Sequence, residues 1–69
     1  MAITRRSDGG REILIEITTV GAYAKVAAID AATGTEVSIT GPATGERAAL
    51  EAAAIQKLRF VLMKPAKKS

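Results

Sequence analysis

The residues that could do chemistry in this chain are seven carboxylates and ten basic side chains, because the sequence contains no cysteine and no histidine. Glu12 and Glu16 belong to a run that alternates with period two, so they share one face of a predicted strand. Two acids on one face can bind a cation or act as an acid and a base. Lys25 lies close to them in the predicted hairpin, and we interpret the three side chains as a surface charge ladder.

The missing residue types exclude several kinds of site. Without cysteine there are no disulfides, thiolate nucleophiles or thiolate metal ligands, and without histidine the commonest general base and zinc ligand are absent. A chain of 69 residues also has little interior in which to build a water-excluding pocket. We therefore expect no enzyme activity, no catalytic residue, no cofactor and no metal. A small-ligand or catalytic site at a dimer interface stays open as a third function class.

Two glycine-containing segments are candidate anion sites, residues 9–10 and residues 41–45. Neither has the lysine and hydroxyl arrangement of a phosphate loop. The second segment leads into a predicted helix, whose first N–H groups could hold an anion. Its ordinary interpretation is a bend that ends a strand, because proline cannot donate to a strand ladder.

Basic residues near both ends give the chain a net charge of +3. Contacts with phosphates are one interpretation of these residues, and solvated chain ends are the other. One tyrosine and one phenylalanine are too few for a base-stacking platform. Nucleic-acid binding by an accessory protein is therefore the alternative function, and its candidate anion contacts are Arg5, Arg6, Arg11, Lys64, Lys67 and Lys68.

Two hairpins are predicted between residues 12 and 40, and they determine where the carboxylates lie. Residues 12–20 alternate with period two, and the following Gly21 suits the first position of a two-residue turn. In the next turn, the Asp30 carboxylate can accept hydrogen bonds from backbone N–H groups ahead of it, and Gly34 can take a positive φ. Together the two registers place one set of apolar residues on a single face: Ile13, Ile15, Ile17, Ala24, Val26, Ala28, Val37 and Ile39.

The second hairpin also carries a resemblance to a known family. The segment V-A-A-I-D-A-A-T-G-T-E-V at residues 26–37 is followed by Gly41-Pro42-Ala43 and an alanine-rich helix. This arrangement resembles a family of short uncharacterised alphaproteobacterial proteins, a domain of unknown function with an A-I-D-A-A-T-G-T-E-V hairpin. The resemblance covers about residues 12–63. It implies a bacterial protein, and it brings no activity and no ligand residue that could be assigned here.

A helix is predicted over residues 46–64, where strong helix formers dominate, and Pro65 ends it. Its apolar stripe, with Ile55 at the margin, consists of Leu50, Ala54, Leu58, Val61 and Leu62. The predicted fold is α+β, a three-stranded antiparallel meander followed by one C-terminal helix packed on one sheet face. The residues expected to be deeply buried are Ile15, Ile17, Val26, Ile39, Leu58 and Leu62. We expect a mobile N-terminal lead at residues 1–11, a single βββα domain at residues 12–64 and a basic tail at residues 65–69.

Self-association is predicted because a core this small rarely supplies more than about 3–5 kcal/mol. Apolar side chains outside the predicted core would form the interface: Leu14, Val20, Tyr23 and Ile29 on the sheet, with Phe60 and Met63 on the helix. We therefore expect a non-catalytic homodimeric protein-interaction or regulatory module, with exchange of the helix as one form of the dimer. A second protein could also bind. No apolar run reaches the roughly 18 residues of a membrane span, so we expect a cytoplasmic protein without membrane contact.

Overall fold

The structure, a computed structural model, describes residues 2–63. Within this range four strands form one antiparallel sheet in the order β1-β2-β3-β4, and one helix follows the last strand. The elements are β1 at Ala2–Asp8, β2 at Arg11–Val20, β3 at Tyr23–Asp30, β4 at Glu36–Pro42 and α1 at Arg47–Met63. The α+β class and the C-terminal helix are confirmed.

The prediction of three strands is wrong, because residues expected in a mobile lead form β1. This strand pairs with β2 along its whole length, from Ala2 opposite Ile17 to Asp8 opposite Arg11. The turn between them has φ values of 63° at Gly9 and 83° at Gly10. Positive φ at both central positions is typical of a two-residue hairpin turn whose twist matches that of the strands. Glycine pairs suit this turn because glycine adopts positive φ without strain.

Both predicted hairpin registers are confirmed. Ile17 lies opposite Val26 across the first hairpin, and Val26 lies opposite Ile39 across the second. The turn glycines Gly21 and Gly34 have φ values of 58° and 78°. These positive angles suit glycine because it lacks the β-carbon that clashes there.

The helix α1 packs over β3 and β4 and buries one side of the sheet, which we call the covered face. Its centre is a cluster of buried apolar residues from β2, β3 and α1: Ile13, Ile15, Val26, Ala28, Ala54, Ile55 and Leu58. Leu50 approaches β4 closely, since a β-carbon at Gly41 would lie 2.5 Å from Leu50 Cδ2. A glycine at that position therefore lets the first turns of the helix settle on the sheet.

The expected core is confirmed at its centre and wrong at its margins. Ile15, Val26 and Leu58 are fully buried, as predicted. The other three expected core residues are only partly buried against the cluster: Ile17, Ile39 and Leu62. Ile55, expected at the margin of the stripe, is inside the cluster instead.

Contacts between α1 and β1 are polar, unlike those between α1 and β3. The Glu51 carboxylate is 8% exposed and pairs with two arginines, Arg6 from β1 and Arg47 from α1. Arg47 Nη2 also donates to Thr4 Oγ1 over 3.1 Å. Near the other end of the helix, Arg59 Nη2 lies 2.7 Å from Asp8 Oδ1. We call these five charged residues the polar seam; it joins α1 to the edge of the sheet.

Candidate interaction surface

The side of the sheet away from α1, here called the open face, carries apolar side chains without a covering layer in this chain. Val20 is 69% exposed, Tyr23 63% and Ile3 61%, while Leu14 and Ile29 are half-buried. The strand register pairs them two by two, with Leu14 opposite Ile29 and Val20 opposite Tyr23. The four predicted sheet residues of the interface therefore share the open face, as two apolar pairs separated along the strands by the rows of Glu16 and Lys25. Sequence reasoning missed Ile3 because it lies on the strand that was not predicted.

Charged residues on the open face flank the pair of Leu14 and Ile29. One row runs across all four strands in the order Arg5, Leu14, Ile29, Glu36, and we call it the central row. It has a positive charge on one edge strand and a negative charge on the other. The predicted pair of acids, Glu12 and Glu16, lies on the same face.

The Glu12 carboxylate has a basic neighbour, so the pair of acids does not stand as an isolated cluster. Arg5 Nη1 lies 2.9 Å from Glu12 Oε2. Among residues 2–63, no group of three acidic, histidine or cysteine side chains is arranged to hold a metal ion. The surface charge ladder remains our interpretation, with Arg5 added to it.

The two helix residues predicted at the interface lie elsewhere. Phe60 and Met63 are 59% and 75% exposed. They lie on α1, which covers the opposite side of the sheet from Val20 and Tyr23. One flat contact with another molecule therefore cannot include both the open face and this helix patch of Phe60 and Met63.

The candidate anion contacts do not form one basic surface within the described residues. Arg5 lies on the open face, whereas Arg6 and Arg11 point to the covered face. All three form ion pairs in their own chain, with Glu12, Glu51 and Asp30 respectively. The remaining three candidates, Lys64, Lys67 and Lys68, lie outside the described residues.

Asp30 is the most deeply buried charged residue among those described, and its contacts explain why it remains ionised. Thr33 Oγ1 donates to Oδ2 over 2.7 Å, Arg11 Nη1 to the same oxygen over 3.0 Å and the Ala32 N–H to Oδ1 over 3.4 Å. The Thr33 hydrogen bond is the main cause that lowers the Asp30 pKa, and it outweighs burial, which raises it. The predicted interaction with the backbone ahead is confirmed. The carboxylate fixes the turn and leaves no oxygen open to a substrate.

A cleft of about 310 Å³ lies between β1 and α1, beside the polar seam. Its lining includes Arg6, Asp8 and Arg59 together with Ile55. The hydrogen bond from Arg59 lowers the pKa of Asp8 and raises that of Arg59, so both side chains stay charged near neutral pH. Both arginines that line the cleft already pair with acids, Arg6 with Glu51 and Arg59 with Asp8.

At the candidate anion site before α1, some of the backbone N–H groups already donate hydrogen bonds within the chain. The Ala43 N–H donates to the Ala22 carbonyl over 2.8 Å, and the Gly45 N–H donates to the Pro42 carbonyl over 2.9 Å. The first helical hydrogen bond runs from the Leu50 N–H to the Glu46 carbonyl over 3.1 Å. The segment 43–46 is thus a hydrogen-bonded connection between β4 and α1.

No helix within residues 2–63 has the length and apolar character needed to cross a membrane.

Comparison with known proteins gives a family and no function. No curated protein and no solved structure matches the chain. A family model described as a domain of unknown function (DUF6898) matches residues 10–67, a range that begins after β1 and includes the other three strands and α1. Since this range is most of the chain, the protein belongs to the DUF6898 family.

Proposed function

We propose that the protein is a small homodimeric interaction or regulatory module without catalytic activity, and that the open face is the dimer interface. The observation that supports this proposal is the exposure of three large apolar side chains on one face of the sheet, Ile3, Val20 and Tyr23. Val20 and Tyr23 lie opposite each other beside the polar row of Thr18 and Lys25, and apolar patches rimmed by polar residues usually mark interaction sites. A two-fold dimer is the commonest way in which a soluble protein covers such a patch.

The biological setting belongs to the same proposal. A bacterial protein is proposed because residues 26–37 resemble those of short alphaproteobacterial proteins, and a cytoplasmic location is proposed because no apolar run in the sequence reaches the length of a membrane span. In this setting the dimer, rather than a pocket in the monomer, would present the surface that a further protein recognises.

Analytical ultracentrifugation of the wild-type chain and two matched variants tests the proposal. Tyr23→Glu places a charge on the open face, and Phe60→Glu places the same charge on an exposed aromatic position of the helix patch. We expect a dimer for the wild type and for Phe60→Glu, and a monomer for Tyr23→Glu. A wild-type monomer at high micromolar concentration would overturn the dimer. If Phe60→Glu dissociates the dimer and Tyr23→Glu does not, the interface is the helix patch and not the open face.

Exchange of α1 between two copies is the alternative form of this dimer. The segment 43–46 would then cross from one sheet to the other. Its hydrogen bonds from Ala43 to Ala22 and from Gly45 to Pro42 hold it against its own sheet, which favours the unexchanged form. Subunit mixing distinguishes the two forms. Stacked subunits should mix within the lifetime of the contact, whereas exchanged subunits mix only as fast as the helix leaves the sheet.

Nucleic-acid binding remains the alternative function, supported by the net charge of +3. Three of its candidate arginines already form ion pairs, so the proposal depends largely on the C-terminal lysines. A fluorescence titration with labelled duplex DNA at several salt concentrations tests it, since phosphate contacts make affinity fall steeply with salt. Replacement of Lys67 and Lys68 by glutamine should weaken such binding. No binding at low salt would remove this alternative.

A further inference from the structure

We infer that two copies stack their open faces about a two-fold axis parallel to the strands, midway between β2 and β3. In this arrangement Arg5 of each copy faces Glu36 of the partner subunit, and Leu14 faces Ile29 of the partner subunit. The inference rests on the proposed homodimer and names its geometry. The partner that covers the open face is therefore a second copy of this chain.

The strand register carries the argument. Rotation about an axis along the strands places β1 over β4 and β2 over β3, and it keeps every residue at the same height. The central row reads Arg5, Leu14, Ile29, Glu36. The row of the partner subunit lies over this row in the reverse order. Opposite charges therefore meet at both ends, and apolar side chains meet in the middle. Each Arg–Glu contact occurs twice because the interface is symmetric.

The neighbouring rows fit the same axis. The row at the far end of the hairpin pairs Val20 with Tyr23, so Val20 of one copy faces Tyr23 of the partner subunit. The row between pairs Thr18 with Lys25, so Lys25 faces Thr18 of the partner subunit. Glu16 lies two residues further along the same strand, about 7 Å away, which a lysine side chain can reach.

The other two-fold axis in the plane between the sheets, perpendicular to the strands, is unfavourable. Centred on the same row, it places each strand over its own copy and therefore brings Arg5 over Arg5. On β2 it brings Glu12 over Glu16, because these residues flank Leu14 at equal distances along the strand. Juxtaposed like charges are destabilising, and such contacts select against wrong partner orientations. The charge pattern thus selects the parallel axis.

The size of the face indicates a weak dimer. Four strands about 4.8 Å apart, with seven residues each at about 3.3 Å, cover roughly 450 Å². Two such faces bury about 900 Å², which is about a quarter less than the lower limit of the roughly 1,200–2,000 Å² of stable interfaces. Stacked sheets usually cross at about 30°. For a residue on an edge strand, about 7 Å from the centre of the sheet, this rotation is a displacement of about 4 Å. The long arginine and glutamate side chains span that shift.

A charge-reversal experiment tests the geometry by sedimentation. Arg5→Glu and Glu36→Arg should each raise the dimer dissociation constant at least about tenfold, because each creates two like-charge contacts. An equimolar mixture of the two variants should form a heterodimer, and the double variant should dimerise as the wild type does. Glu46→Arg is the matched control, since it makes the same change of charge at an exposed position beside α1. It should leave the dimer intact.

Arg5→Glu also places a second acid beside Glu12, its ion-pair partner inside the chain, so a second measurement introduces no like charge and tests proximity instead. Because the chain contains no cysteine, Arg5→Cys and Glu36→Cys provide single labels. Under oxidation, their mixture should form a cross-linked heterodimer much faster than either variant alone forms a homodimer. Equal rates in all three samples would overturn the axis.

The outcomes separate the two proposals. A wild-type monomer overturns the homodimer and the geometry together. A wild-type dimer that tolerates both single reversals overturns only the geometry. The geometry is also wrong if the double variant remains monomeric while the wild type is a dimer, because the swapped charges would then not be partners.

Discussion

The covered and open faces of the same sheet carry similar aliphatic residues in different surroundings. On β2, Ile13 and Ile15 point to the covered face and are 1% and 0% exposed, whereas Leu14 between them points to the open face and is half-buried. The strand and its hydrogen bonds are the same for all three. What differs is the layer opposite, α1 on one side and no part of residues 2–63 on the other. Burial of a sheet residue therefore depends on what covers it more than on its own type.

A second contrast lies within the covered face. Under α1, β3 contributes Val26 and Ala28, which are fully buried. Further along the sheet, at the level of Ile13 and Arg11, β1 contributes Arg6 and Asp8, which meet the helix through ion pairs. The helix is thus held by apolar contacts at the middle of the sheet and by charges at its edge.

Loss of the apolar contact should have the largest effect. Leu58→Ala removes a fully buried side chain between α1 and the sheet, and such changes cost about 2–5 kcal/mol of the free energy of unfolding. Val61→Ala on the same helix is the control, since Val61 is 38% exposed and should cost less than about 1 kcal/mol. Urea unfolding followed by circular dichroism measures both. A near-wild-type midpoint for Leu58→Ala would contradict the packing of α1.

Loss of charge in the polar seam should have an intermediate effect. Glu51→Gln leaves Arg6 and Arg47 without their shared carboxylate. Because both guanidinium groups reach solvent, we expect a cost of about 1–2 kcal/mol. Glu46→Gln, at an exposed position, should change stability by less than about 0.5 kcal/mol. Equal unfolding midpoints for the two variants would show that the ion pairs of Glu51 add nothing to stability.

The Asp30 turn should make stability depend on pH in the acidic range. The pKa of Asp30 is lowered in the folded chain, so its contribution is complete above the unfolded value of about 3.9 and is lost as the pH falls through the folded pKa. Asp30→Asn should therefore melt at a lower temperature at neutral pH, and its melting temperature should decline less between neutral and strongly acidic pH.

Asp8 contributes to the same acid range, because its pKa is also lowered. Asp8→Asn is therefore the comparison variant, measured under identical conditions. If Asp30→Asn keeps the full acid dependence of the wild type, the buried carboxylate does not carry this part of the stability.

The contrasts between the faces also explain how much could be predicted from the sequence. The hairpins around β3 were predictable because alternation along β2 and the turn residues Gly21 and Gly34 agree on one register. Strand β1 was not predicted, since its covered-face positions hold Thr4, Arg6 and Asp8, and no apolar alternation results. The charges they meet on α1 are distant in sequence. The available signal was the Gly9-Gly10 pair, which alone suited a tight hairpin turn.

The candidate surface was predictable in part for the same reason. Leu14, Val20, Tyr23 and Ile29 follow from period two once the register is known. Ile3 and the central row require β1, so the charge pattern across the open face could not be seen without it. The helix patch could be separated from the open face by the same reasoning, because Phe60 and Met63 lie off the predicted stripe, whose Ala54 and Leu58 pack on the covered face.

The smallest effect on the fold should come from the open face, where a substitution affects association instead. Tyr23 is 63% exposed, so Tyr23→Glu should change the free energy of unfolding of a dilute sample by less than about 0.5 kcal/mol. Binding of a second copy stabilises the folded state by mass action, which makes the melting temperature rise with protein concentration. We expect that rise for the wild type and for Phe60→Glu, and a melting temperature independent of concentration for Tyr23→Glu. Because a lost core contact would lower the melting temperature equally at every concentration, this series separates association from folding. A Tyr23→Glu variant that is destabilised equally at all concentrations would show that Tyr23 stabilises the monomer, and the open face would then lose its claim to be an interface.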